Sequence, residues 1–145
     1  MVHAEQTVTV ERPIADVFAF LADGTNDPSW RLQVISITHV EGTEGTGEGA
    51  TFAQTMKGPV GRKINGAFKF TRFDEPNRLD FQVIAGPVRP LGSFELRELS
   101  PTTTEVTFTV DLKPRGLMVL MTPMINKQVQ AEVSNIKNLP KAMGA

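Results

Sequence analysis

The sequence predicts an α+β domain in which a curved antiparallel sheet of seven strands wraps around a long C-terminal helix. Residues 33–112 alternate between apolar and polar side chains, which is the period of strands buried on one face. Residues 117–139 repeat apolar side chains at helical spacing instead. A bent sheet closing over a helix encloses an apolar space, and this space is the first indication of function.

Composition limits the possible partners. At 145 residues, the chain is predicted to form one domain over residues 1–145. Fifteen Lys and Arg balance sixteen Asp and Glu, and no basic block runs along the chain. The sequence therefore predicts no nucleic-acid partner and shows no charge pattern for an anionic membrane.

Cellular location follows from what the chain lacks. It has no cysteine, which excludes disulfides and thiolate nucleophiles. The N-terminal segment does not have the pattern of a secretory signal, and no apolar run approaches the ~20 residues of a membrane span. We expect a cytoplasmic protein with no membrane span.

The first strand is predicted at residues 2–11, where valine and threonine alternate. Two short helices are predicted between this strand and the second. Pro13 favours a helix start, because the first helical position tolerates a missing N–H. Residues 23–29 are rich in helix breakers and are predicted to form the second short helix, closed by Trp30.

Six more strands follow, each with one apolar and one polar face. They are predicted at residues 33–41, 50–57, 62–73, 78–85, 88–99 and 105–113. Their short connections indicate antiparallel neighbours. Phenylalanines dominate the apolar faces, at Phe52, Phe68, Phe70, Phe81, Phe94 and Phe108.

The final helix is predicted at residues 117–139. Its apolar stripe contains Met118, Met121, Ile125, Val129, Val133 and Ile136. Pro123 is predicted to kink or break the helix one turn in. Glu132 is a carboxylate near the centre of the apolar stripe.

This order of elements resembles the helix-grip fold of the SRPBCC superfamily, which includes START, birch-pollen-allergen and polyketide cyclase/dehydrase-like domains. Local matches lie at residues 11–18, 28–30, 47–52 and 115–123. The resemblance covers the whole chain and implies a deep apolar cavity between sheet and helix that holds lipids, sterols, polyketides or similar molecules. No single catalytic motif spans the superfamily, so it implies no catalytic residue.

The apolar face supplies the candidate ligand-binding residues. We predict that a small apolar partner contacts Trp30, Phe52, Gln54, Phe68, Phe81, Phe94, Phe108, Met121, Ile125 and Glu132. The competing interpretation is that the aromatic side chains fill a packed core. For Trp30 there are two predictions. It either belongs to this packed core or, together with Arg31, forms part of the cavity entrance.

Three polar side chains are candidates for orienting a ligand. Gln54 shares a strand face with Phe52. Burial of Glu132 in the apolar stripe would raise its pKa and suit an acid or base. The alternatives are a solvated Glu132 or an ion pair with Arg62 or Arg72. His39 is the one histidine away from the terminus, and strand parity directs it inward.

No metal site or cofactor is predicted. Two distant histidines without cysteine make a poor ligand set. The glycine-rich segment 42–49 leads into a strand, lacks lysine and carries two glutamates, so it does not fit a phosphate loop. We interpret it as a turn that could also gate the cavity. The sequence does not decide whether the protein forms a homodimer.

The sequence thus favours binding of a small hydrophobic ligand of lipid, polyketide or aromatic type. One alternative is an enzyme of the polyketide cyclase/dehydratase type that uses a cavity acid or base. Another is a protein-interaction or co-chaperone module that uses the outer face of the sheet. Polar side chains on that face, at Lys63, Asn65, Lys69, Asp80 and Gln82, count against the last alternative.

Overall fold

The predicted seven-stranded antiparallel sheet is confirmed. The computed structural model describes residues 1–145, apart from the side chain of residue 59. The strands are β1 (Val2–Val10), β2 (Val34–His39), β3 (Thr51–Lys57), β4 (Lys63–Asp74), β5 (Arg78–Ala85), β6 (Leu91–Ser100) and β7 (Thr103–Leu112). They form one curled sheet in the order β1-β7-β6-β5-β4-β3-β2, with every neighbouring pair antiparallel.

The largest difference from the predicted strand boundaries is at the start of β6. The alternation predicts a start at residue 88, whereas the strand begins at Leu91. Pro90 has no N–H to donate to the sheet, and Pro87 follows Gly86, whose φ is +119°. The segment before Leu91 is therefore a connection that borders the sheet.

The two predicted helices between the first strands are present. Helix α1 spans Ile14–Ala22 and begins directly after Pro13, and a 3₁₀ helix spans Gly24–Ser29. Helix α1 buries Val17, Phe18 and Leu21 and packs against β6 and β7. A further short 3₁₀ turn spans Pro59–Gly61 between β3 and β4.

The C-terminal helix is built from four pieces. A 3₁₀ helix (Gly116–Met121) leads into α2 (Thr122–Ser134), which continues through a 3₁₀ helix (Asn135–Asn138) into α3 (Leu139–Ala142). The predicted break at Pro123 matches the start of α2. Proline in the first helical turn costs no internal hydrogen bond.

The predicted apolar stripe is buried from Ile125 onward. Ile125, Val129, Val133 and Ile136 lie in the same core as the aromatic residues of the sheet, so the long helix packs on the apolar concave face. Met121 does not share this burial and is 45% exposed. It belongs to the 3₁₀ helix, whose rotation of ~120° per residue moves it off the stripe. No helix in the described part of the chain is both long and apolar enough to cross a bilayer.

Candidate ligand-binding site

The concave face of the sheet is divided into two halves. The closed half is filled by the side chains of Trp30, Phe52, Phe68, Phe70, Phe94 and Phe108, which are all buried. Only about 20 Å³ of free space remains there. The open half contains a cavity of about 570 Å³, and its apolar wall includes Met56, Ile64, Val83, Ala85, Val88, Ile125 and Val129.

Aromatic side chains fill the closed half by packing on one another. The rings of Phe94 and Phe108 stack with centroids 4.6 Å apart, and those of Phe52 and Phe68 stack at 5.4 Å. Trp30 packs edge-on against Phe108 at 5.7 Å. Both stacked pairs are direct cross-strand neighbours, so the sheet register itself brings the rings together.

The open half results from a decrease in side-chain size along two neighbouring strands. On β5 the residues on the cavity wall run from Phe81 to Val83 and Ala85. On β4 the residue that follows Phe68 toward the cavity on the same face is Gly66. A Cβ on Gly66 would lie 2.8 Å from the carbonyl oxygen of Ala85, so the close approach of the two strands requires glycine.

A buried polar cluster lies between the two halves. We define the Arg31 cluster as Arg31, Asp27, Gln54 and Glu132. Arg31 Nη1 donates to Asp27 Oδ2 at 2.9 Å and to Gln54 Oε1 at 3.2 Å, and Arg31 Nε donates to Glu132 Oε1 at 2.5 Å. The guanidinium carbon also lies 6.0 Å from the ring centroid of Phe68.

Burial and charge oppose each other in this cluster. Burial raises the pKa of Asp27 to about 6, although the neighbouring Arg31 charge acts to lower it. Burial alone would lower the pKa of Arg31, but the carboxylates of Glu132 and Asp27 outweigh it and the pKa is raised. Arg31 therefore stays charged, and Asp27 is the member that takes up a proton near pH 6.

The cluster presents both a donor and an acceptor to the cavity. Arg31, Gln54 and Glu132 lie in the wall of the 570 Å³ cavity, whereas Asp27 lines only the small space of the closed half. Gln54 bonds Arg31 through its oxygen, which leaves its amide N–H groups free. Glu132 bonds Arg31 through Oε1, which leaves Oε2 free to accept.

The predicted ligand-binding residues separate between the two halves. Gln54, Phe81, Ile125 and Glu132 lie in the wall of the large cavity. Phe68, Phe94 and Phe108 line the small space of the closed half. Trp30, Phe52 and Met121 lie in neither wall. Trp30 and Phe52 are fixed in the aromatic packing, and Met121 is turned to solvent.

Of the alternatives for Glu132, the ion pair is present, but its partner is neither of the two arginines considered, and Arg31 does not lie at the cavity entrance. Glu132 pairs with Arg31, whereas Arg62 is exposed directly before β4 and Arg72 pairs with Asp74. Arg31 is only 9% exposed and lies at the floor of the cavity instead of its entrance. Its spacing of four residues from Asp27 was the available signal in the sequence.

Segment 30–33 is attached to the C-terminal helices by three polar contacts. Asn138 Nδ2 donates to the carbonyl of Trp30 at 3.2 Å, and Asn135 Nδ2 donates to Gln33 Oε1 at 2.5 Å. The Arg31–Glu132 pair lies between them. These contacts fix the position of Glu132 and of α2 over the cavity floor.

His39 holds a loop and is in the wall of neither space. Its Nε2 lies 2.6 Å from the carbonyl oxygen of Glu44 and 3.1 Å from Thr43 Oγ1. Its ring packs edge-on against Phe52 at 5.6 Å. The side chain thus connects the glycine-rich segment to the end of β2.

Comparison with known proteins identifies the family. Residues 1–139 match the family model described as polyketide cyclase / dehydrase and lipid transport. The chain belongs to this family. No curated protein sequence matches the chain significantly.

Solved structures of other proteins share the fold over nearly the whole chain. The Zhui aromatase/cyclase from Streptomyces sp. R1128 superposes with a TM-score of 0.75 at 18% identity, covering 97% of this chain and 89% of that one. TTHA0849 from Thermus thermophilus gives 0.74 at 17% identity, with 97% and 92% covered. A START superfamily protein from Mycobacterium smegmatis gives 0.71 at 14% identity, with 97% and 93% covered. These TM-scores show a shared fold.

Proposed function

We propose that the protein binds a small hydrophobic ligand in the open half of the concave face. The observation that carries the proposal is a cavity of about 570 Å³ beside a core that is otherwise filled. Pockets for small molecules in proteins are typically ~300–1,000 Å³ and mostly apolar, with a few placed polar groups. The family description, which includes lipid transport, is consistent with such a ligand.

The Arg31 cluster selects the polar end of the ligand. One guanidinium faces two carboxylates, so the cluster has no surplus positive charge for a free carboxylate or phosphate. A neutral end fits better. A carbonyl would accept from the Gln54 amide, and a hydroxyl would donate to Glu132 Oε2. The proposed ligand is therefore an apolar body with a hydroxyl or carbonyl end, as in sterols and polyketides.

Cyclase-like catalysis is the second candidate. The observation that favours it is the free oxygen of Glu132 in the cavity wall, where it can accept a proton from a bound ligand. An aromatase/cyclase is among the similar structures. A Glu132→Gln variant that keeps ligand affinity but abolishes turnover would support catalysis. Unchanged turnover would remove Glu132 as the acid or base.

Two neighbouring residues of β5 provide a matched test of ligand binding. Val83 lies in the cavity wall, whereas Ile84 lies at a register shift between β4 and β5 and does not line the cavity. Val83→Phe should occupy part of the cavity, and Ile84→Phe should leave it open. We expect displacement of a fluorescent apolar probe by hydroxylated and carbonyl ligands to weaken at least about tenfold in Val83→Phe and to stay unchanged in Ile84→Phe.

Thermal unfolding of both variants controls for loss of the fold. A wild-type protein that binds neither the probe nor any member of a sterol, polyketide and fatty-alcohol panel would contradict the proposal. Equal probe affinity in Val83→Phe and wild type would contradict the placement of the site.

A further inference from the structure

Three segments contribute residues to the cavity wall, and together with the residues that adjoin this lining along the chain we call them the mouth segments: residues 57–65, 86–91 and 113–128. Each contributes to the cavity wall. Lys57 and Gly58 come from the first, Pro87 and Val88 from the second, and Lys127 from the third. Segments far apart in the sequence therefore meet at one opening.

Charge in the mouth segments has a single sign. They contain no Asp or Glu, and they carry seven basic residues: Lys57, Arg62, Lys63, Arg89, Lys113, Arg115 and Lys127. Within the described structure, the ion pairs of lysine and arginine involve other residues. Although the whole chain has a net charge of −1, the mouth segments are therefore strongly positive.

The same segments expose apolar side chains to solvent. Val60 is 96% exposed, and Leu117 and Leu120 are 85% and 82% exposed. The remaining exposed apolar residues of the mouth segments are Leu91, Val119, Met121 and Met124. A soluble surface rarely gathers so many apolar side chains without a partner.

Val60 also has an unusual backbone conformation. Its φ is +52° and its ψ is 35°, a left-handed conformation that β-branched residues rarely adopt. Glycine or asparagine would satisfy this turn with less strain. A strained valine that is 96% exposed contributes nothing to the core, which points to a use for its side chain outside the fold.

We propose that the mouth segments dock on the surface of an anionic lipid bilayer. The leucines, Val60 and the methionines would enter the boundary between headgroups and acyl chains, and the seven basic side chains would contact anionic headgroups. The cavity would then open toward the membrane, so an apolar ligand could pass between bilayer and cavity without crossing water. This surface is separate from the Arg31 cluster, and docking does not require an occupied cavity.

Charge and hydrophobicity together favour a bilayer over the other possible partners. A second copy docked through the same surface would bring two sets of seven positive charges together, which opposes association. A nucleic acid would match the charge but would gain little from exposed leucines. An anionic bilayer can interact with both the basic side chains and the exposed apolar side chains.

Vesicle flotation tests the proposal directly. The probes are vesicles of phosphatidylcholine alone and of phosphatidylcholine with phosphatidylglycerol, at low and high salt. We expect wild-type protein to float with the anionic vesicles, and high salt to release most of it. Two variants, Arg62→Glu/Lys63→Glu and Leu117→Ser/Leu120→Ser, should each lower the partition coefficient by at least about tenfold.

Matched variants away from the mouth provide the controls. Lys69→Glu/Lys137→Glu changes two exposed basic residues, and Leu99→Ser changes an exposed leucine on β6. Both should float as wild type does. Probe binding in the cavity, measured separately, should be unchanged in all of these variants, so failure of docking and failure of the proposed function are distinguishable.

Three outcomes would overturn the proposal. One is wild-type protein that stays unbound with anionic vesicles. Another is equal loss of flotation in the mouth and control variants. The third is binding to short duplex DNA, or a dimer in solution, that depends on Arg62 and Lys63 while the anionic vesicles remain unbound.

Discussion

The closed and open halves of the concave face are built from the same strands and differ in side-chain size. In the closed half, phenylalanines pair across strands and leave about 20 Å³ free. In the open half, valine, alanine and glycine occupy equivalent inward positions and leave about 570 Å³. The comparison shows that the cavity lies where small residues occupy inward positions of β4 and β5, beside a register shift between these strands at Ala67 and Phe68.

The largest loss of stability is expected from truncating an aromatic side chain in the closed half. Phe108→Ala removes a ring stacked on Phe94 and contacted by Trp30, and the surrounding rings cannot collapse into the space. We expect a loss of about 4 kcal/mol in the free energy of unfolding, measured by urea denaturation. A loss below about 1 kcal/mol would show that the closed half is loosely packed.

Removing the Arg31 cation, which lies between the two halves, is expected to lower the free energy of unfolding slightly less than Phe108→Ala does. Arg31→Met leaves the Asp27 and Glu132 carboxylates without their partner, which we expect to cost about 3 kcal/mol at neutral pH. Arg72→Met is the matched control, because its ion pair with Asp74 is solvent-exposed and worth at most ~1 kcal/mol. Equal losses in the two variants would contradict a buried cluster.

The pH dependence of stability tests the environment of Asp27. Its pKa is about 6 in the folded protein and near 3.8 when exposed. Between these values the folded state holds a proton that the unfolded state has released, so this group makes the free energy of unfolding fall as pH rises. The expected fall is about 3 kcal/mol, and it should be absent in Asp27→Asn. Parallel pH profiles for wild type and variant would contradict the raised pKa.

The smallest effect is expected from truncation in the open half. Val83→Ala enlarges a cavity that already exists, so few packing contacts are lost, and we expect less than about 0.5 kcal/mol. Val106→Ala, at a fully buried position of β7, should cost about 2 kcal/mol. Urea denaturation of the two variants compares the halves with the same chemical change. Equal losses would mean that the open half is filled in solution.

Much of the fold could be predicted from the sequence because period-2 alternation and short turns specify an antiparallel sheet directly. For β5, the alternation predicts residues 78–85, and the strand spans Arg78–Ala85. Met121 could not be placed, since sequence spacing does not distinguish a 3₁₀ turn from an α-helical one before Pro123.

The candidate site was harder to predict than the fold. Glu132 and Gln54 were recognisable as polar residues on apolar faces. Their common partner Arg31 was not, because the partners lie up to 101 positions apart and meet only in the folded chain. The positive charge of the mouth segments could not be recognised from the sequence either, because their lysines and arginines are dispersed along three segments.

Ligand binding in the open half can be measured by native mass spectrometry of wild-type, Val83→Phe and Ile84→Phe proteins, each incubated with the same sterol and polyketide panel. We expect bound apolar molecules carrying a hydroxyl or carbonyl on wild type and Ile84→Phe, and at least about tenfold less on Val83→Phe. Equal occupancy of all three proteins, or none on any of them, would contradict the assignment of the open half as a ligand-binding cavity.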